Sequence, residues 1–463
     1  MSSLFRIPAF ALPVLCCGLI LLGGCAARED AGLREQPRLA HMRDAEDLRR
    51  LPQDLMVYAR HAGKNRPLLS RQEQARQDAR FDRIFFSPWQ QTGPSVTAQA
   101  LALRFGEGPH GFMENAQPWT QEEWDSMRAN ALLASYPRVT QPAITIRHTF
   151  MRELPTLRPR MARPHPFGQD NPFDMFQYTS LFLGTPLYVS HISADGLWYF
   201  VESPIASGWV PTEDVALADA AFIKQYRNGR YAAIIRDDLP VVAEAGAIGR
   251  THVGAVYPVH KQSWRKIQVL APVRGPQEQA AISVVEFTSD QARAKPLPLN
   301  PAWLARVGNQ MMGQPYGWGG LYEWRDCSST ARDVFAPFGI WLPRNSAAQG
   351  RSGNSFIPLE GLDGAEKERL IGASGVPFMS LLWMRGHIML YLGQYRNESV
   401  VFHNIWGLRI VEEGNDNARH VLGRAVASSL RLGRELPALQ DGAALLDRLK
   451  GMATLSAHSD GSE

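Results

Sequence analysis

The chain has 463 residues, 45% hydrophobic and 20% charged, the make-up of a globular protein with room for roughly three or four domains. Forty-nine Lys and Arg against 45 Asp and Glu leave a formal net charge of +4. That is small for this length and gives no electrostatic case for a nucleic-acid partner.

Residues 1–24 read as a signal peptide. Arg6 precedes an apolar run from Ile7 to Leu22, shorter than the roughly 20 apolar residues of a membrane span, and small residues follow it as in a secretory signal. Leu22-Gly23-Gly24-Cys25 resembles a bacterial lipobox. The resemblance implies cleavage before Cys25, lipidation of that cysteine and a membrane anchor on the periplasmic side. Ala26 in place of Asp after the cysteine points to the outer membrane. A plain signal peptide cut elsewhere is the other reading. Cys16 and Cys17 leave with the signal, so Cys327 is the one free thiol of the mature chain. A solitary thiol kept in an oxidising compartment points to catalysis.

Residues 25–140 read as a polar tether and a helical accessory domain, with helical stretches at 44–50, 71–81 and 97–105. Thr120 with Glu123 fits a capping box, and Trp124, Met127 and Ala131 give its helix one apolar face. From 141 the texture changes to short β-rich runs. Runs at 144–150, 186–190, 198–202 and 208–211 fit a small barrel over 141–220, and a second set fits another over 221–295. The pair resembles tandem bacterial SH3 domains, the first through Gly184-Thr185-Pro186, Asp195-Gly196-Leu197-Trp198 and Gly208-Trp209-Val210. Their aromatics fit either a barrel core or a surface for peptide or glycan.

Residues 296–435 form the catalytic candidate. A helix over 301–312 leads into a loop with Gly313, Gly317, Gly319 and Gly320. Ala331, Val334, Phe335 and Phe338 then recur at helical spacing, which sets Cys327 at a helix N-terminus, where unpaired N–H groups and the dipole favour a thiolate. A small apolar residue buried under a helix is the plainer alternative. A polar excursion runs to about Gly375. A thiolate needs a base and the base needs an orienting partner. His387 opens the strand His-Ile-Met-Leu-Tyr-Leu, and His403 lies in Val-Val-Phe-His-Asn-Ile. A hairpin centred on Tyr395 sets the two directly opposite, on one face. A one-residue bulge is expected to separate them. Residues 436–463 read as a polar tail with a short helix near 441–450.

Residues 314–405 resemble the NlpC/P60 cysteine peptidases. The likeness rests on Pro315-Tyr316-Gly317-Trp318-Gly319-Gly320, Asp326-Cys327-Ser328, Leu342-Pro343-Arg344 with Ser346 and Gln349, Gly386-His387, Tyr391-Leu392-Gly393 and His403. Ser329 stands where the family usually has Gly, and Arg385 stands before Gly386 where many members carry a Gly-Asp pair ahead of the base strand. The resemblance implies an α+β fold, a papain-like domain after two SH3-like barrels and a helical region. It implies hydrolysis of the γ-D-glutamyl–diaminopimelate bond in peptidoglycan stem peptides by Cys327, His387 and His403, with no cofactor. In SH3-bearing relatives a free N-terminal L-Ala is selected, for which Tyr316, Asp326 and Ser328 are the local acceptors, with Trp318 beside them. A non-catalytic anchored binding protein and a papain-like amidase or acyltransferase are the rival readings. A Cys/His zinc site lacks a fourth ligand at recognisable spacing.

Overall fold

The structure, a computed structural model, describes residues 45–164, 172–244, 246–353, 355–413 and 418–455. The signal segment and Cys25 lie outside them. Short helices dominate up to residue 135. Ser70 with Glu73 closes a capping box on Arg71–Phe85, and Thr120 with Glu123 closes one on Gln121–Ala131, so the first N–H groups of both helices are satisfied. These helices bury their apolar faces against later parts of the chain. Leu51, Leu55 and Tyr58 share one buried cluster with Val334, Phe335 and Phe402. Trp124 and Met127 pack with Trp198, Phe200 and Trp209.

Seven antiparallel strands between Gln141 and Leu217 make the first barrel. Leu187, Val189, Val201 and Val210 fill its interior, whereas Trp198 and Trp209 are buried outside that core, against Trp124 and Met127 of the helical region, so neither sequence reading describes them. Tyr231–Ala294 carries a five-stranded sheet and the ribbon Leu239–Ala243 with Gly246–Thr251. Trp264, on this second unit, is exposed, with the Arg265 guanidinium over its ring.

A third, six-stranded antiparallel sheet follows the order Ser355–Pro358, Leu449–Thr454, Ser380–Met384, His387–Tyr395, Glu398–Arg409, Arg419–Ser429. The helices Pro301–Asn309 and Cys327–Phe335 cover one face, against Ile388, Leu390, Leu392 and Phe402. Ile371, Leu445 and Leu446 cover the other, against Met389, Tyr391 and Val401. This corrects two sequence expectations. The region after 436 is not a polar tail, because Leu449–Thr454 pairs on both sides inside the sheet. The excursion to Gly375 holds a strand and the capped helix Gly364–Ser374. A strand buried on both faces loses the alternation that marks a strand in sequence.

Candidate active site

Cys327 is the first residue of its helix. Asp326 is the N-cap, and its carboxylate accepts from the Ser329 backbone N–H at 2.9 Å. The preceding glycine-rich loop runs along the edge strand, with Gly313 N–H donating to Ala425 and Tyr316 N–H to Gly423. Gly319 and Gly320 have φ of 60° and 82°. A Cβ on Gly319 would meet the Gln177 carbonyl at 2.6 Å. Glycine is needed there because the first barrel packs directly on the loop.

The histidines meet by a route the sequence reading did not anticipate. The hairpin turns at Arg396 and Asn397, both at positive φ (50° and 65°), as a two-residue turn of mirror-image type requires. Pairing begins with Tyr395 opposite Glu398. A bulge then skips Leu392, and Leu390 faces Phe402. Continued along the strands, this register sets Met389, not His387, opposite His403. The bulge unites the two histidines, because without it they fall on opposite faces. His387 Nε2 lies 2.8 Å from His403 Nδ1, as a diagonal pair.

Hydrogen bonding beyond them decides the tautomers. Ser428 Oγ donates to the Ser429 carbonyl, so it accepts from His403 Nε2–H at 3.0 Å. His403 Nδ1 is then an acceptor and receives His387 Nε2–H. That leaves the lone pair of His387 on Nδ1, the arrangement a general base requires.

The backbone N–H groups of Ile388 and Ser328 lie near the Cys327 sulfur and favour its charged form. Burial and the Asp326 carboxylate nevertheless push the thiol up to about 12. Burial, with Arg448 nearby, pushes His387 down to about 3. Both shifts oppose the thiolate that the helix N-terminus favours. Burial outweighs the dipole here.

Among the expected substrate contacts, Asp326 is already engaged. Arg344 Nη2 meets it at 2.6 Å, and Ser328 Oγ donates to it at 3.0 Å. Burial would raise this carboxyl, but Arg344 outweighs burial and holds it at about 2. Tyr316 stays protonated, its hydroxyl pushed well up by burial and by Cys327 and Asp326. Trp318 stacks on Phe173 at 5.0 Å between ring centroids, and Phe173 also meets Tyr316 and Trp406. Phe173, Trp406 and Thr179, which accepts from Arg344 at 2.6 Å, were not singled out from sequence. No local signal marks them, since Phe173 and Thr179 reach the site from the first barrel. Arg344 and Gln349 were visible as motif residues only. Gln349 Nε2 ties the carbonyls of Ser328 and Pro343 together, each at 2.8 Å.

The family model described as NlpC/P60 family matches residues 313–411. Residues 313–411 are an NlpC/P60 domain. Around this NlpC/P60 domain, the model for the NLPC_P60 stabilising domain, N term, matches residues 14–136, and SH3 models of the SH3b1 and SH3b2 types match 159–211 and 219–263. NlpC/P60 proteins are cysteine peptidases that act on the cell wall. The chain is similar in fold to an NlpC/P60 endopeptidase from Photobacterium damselae subsp. piscicida, at 23% identity and a TM-score of 0.77, over 88% of this chain and 98% of that one. An NlpC/P60 family protein from Bacillus cereus matches at 16% identity and a TM-score of 0.41, over 60% and 82%. No curated protein matches the chain. Among the described residues, no helix is long and apolar enough to cross a membrane.

Proposed function

We propose that this protein hydrolyses the γ-D-glutamyl–diaminopimelate bond of peptidoglycan stem peptides bearing a free N-terminal L-Ala, with Cys327 as nucleophile, His387 as base and His403 as its orienting partner. The observation that carries the reading is the relay from Ser428 through His403 to His387, beside a sulfur near the Ile388 N–H. A buried chain of polar groups is costly unless fully satisfied, and this one leaves a single lone pair directed by its tautomers.

As Cys327 attacks the γ-carbonyl carbon, its proton passes to His387 Nδ1. N–H groups at the start of the Cys327 helix face the developing oxyanion. The tetrahedral adduct expels the amine of the diamino acid, which takes the proton from His387, and a thioester remains. Water, deprotonated by the same nitrogen, then cleaves the thioester and restores the thiol. The neutral Tyr316 hydroxyl can accept from the ammonium of L-Ala. The Asp326 charge, though shared with Arg344, lies on the same side. Cys327 and His387 are only 6% and 7% exposed, which favours a slender released peptide over cross-linked wall. Lipidation at Cys25 would hold the enzyme at the outer membrane, and mass spectrometry of the mature N-terminus tests this.

The deciding experiment incubates the purified protein with L-Ala-γ-D-Glu-diaminopimelate and with intact sacculi, and identifies the products. Release of L-Ala-D-Glu, lost in Cys327→Ala, is expected. No cleavage by a folded protein overturns the proposal. The burial of Cys327 favours a second reading, an anchored wall-binding protein without catalysis. Under that reading sacculi are bound and neither substrate is cut.

A further inference from the structure

Away from the sulfur, three side chains converge from three parts of the chain. His148 lies in the turn between the strands Gln141–Thr145 and Thr149–Arg152 of the first barrel. His252 follows the ribbon strand Gly246–Thr251 of the second. Glu323 belongs to the loop leading to Cys327, and both it and Tyr322 hold positive φ, 62° and 59°. One ligand atom from each lies within 4.8 Å of the others. Glu323 Oε2 is 3.0 Å from His252 Nε2. Hydrogen bonding accounts for that pair but not for the third member. Both ring nitrogens of His148 are shielded from solvent, and neither has a hydrogen-bond partner. A desolvated imidazole without a partner is costly unless something supplies one.

We propose that His148, His252 and Glu323 bind a divalent cation of the zinc type, which clasps both barrels to the loop that carries the nucleophile. Two imidazoles and one carboxylate, with a fourth position open to water, are a zinc donor set. Ligands about 2.1 Å from a tetrahedral ion sit about 3.4 Å apart, so a small side-chain movement closes the set. The Glu323 side chain is 38% exposed and free to make it. The back of the site is also built for an ion. His252 Nδ1 has no hydrogen bond and faces Asp237 Oδ2 at 3.8 Å. A carboxylate behind the non-ligating nitrogen fixes the tautomer that offers Nε2 to a metal. The nearby cations are already paired, Arg325 with Asp237 and Asp333, and Arg332 with Asp333.

The clasp is independent of the thiol chemistry, so its test is run in Cys327→Ala full-length protein. That background removes the sulfur as a competing ligand. The protein is stripped with chelator, titrated with zinc chloride by calorimetry, counted by elemental analysis and melted with and without metal. One zinc per chain and a raised Tm are expected. Glu323→Gln and, separately, His148→Ala are expected to weaken binding at least 10-fold and to abolish the rise in Tm. Glu323→Gln alters a half-exposed side chain and keeps the test valid if His148→Ala fails to fold. Absence of zinc uptake, or uptake unchanged in Glu323→Gln, overturns the proposal.

Discussion

Burial opposes the thiolate that a helix start favours at Cys327, and this balance governs how its reactivity depends on pH. A thiol raised to about 12 gives a thiolate fraction that keeps growing as pH rises, with no plateau near neutrality. Iodoacetamide labelling of Cys327 is therefore expected to accelerate steadily from pH 6 to 10. A plateau below pH 7 would show a resting thiolate–imidazolium pair instead. His403→Ala removes the acceptor for His387 Nε2–H, and kcat is expected to fall roughly 10²-fold or more with KM little changed, read from steady-state kinetics. Asp326 titrates lower in the folded chain than its ordinary 3.8, at about 2. Its contribution to stability is present above pH 4 and is lost as pH falls towards 2, roughly 2 kcal/mol in all. Urea unfolding from pH 5 to 2 should show that loss in the wild type and a smaller one in Asp326→Asn.

At the scale of elements, two features place the site: a bulge and a returning strand. The bulge at Leu392 converts a hairpin that would separate His387 from His403 into one that joins them. Both strands were legible from their apolar content, but their register was not, since a shift of one residue in pairing reverses every side chain. Leu449–Thr454 fills the gap between Ser355–Pro358 and Ser380–Met384. A chain ending at Glu435 would leave Ser355–Pro358 unpaired, strip Ser380–Met384 of one of its two neighbours and expose Leu382 and Met389 in that core. Such a truncation is expected to lose its cooperative thermal transition. Retention of the wild-type transition would show the strand to be dispensable.

For the molecule as a whole, Arg325 is the node. Its guanidinium donates to Asp237 at 2.8 and 3.0 Å, to Asp333 at 2.8 Å and to the Val253 carbonyl at 3.0 Å. The second barrel, the helix Cys327–Phe335 and the loop before it thus meet on one buried cation. Arg325→Ala takes the guanidinium from Asp237 and leaves Asp333 with Arg332 alone, and is expected to cost about 3–5 kcal/mol, measured by urea unfolding. A loss under 1 kcal/mol would show that these units are held together by apolar contact alone. The helical region takes part in the same way, with Asp47 accepting from Ser429 N–H at 2.8 Å and Gln53 bonded to Ala427 on the edge strand.

Short motifs and their order were enough to single out Cys327, His387 and His403 as candidates and to read the succession of helical region, barrels and NlpC/P60 domain. Such residues announce themselves because chemistry restricts both their type and their local backbone. Tertiary structure alone decided the histidine tautomers, the raised thiol, the returning strand and the residues that reach the site from elsewhere, Phe173, Thr179 and His252 among them. Each of these depends on desolvation or on contact between segments far apart in the chain, and neither leaves a periodic trace in the residues that take part.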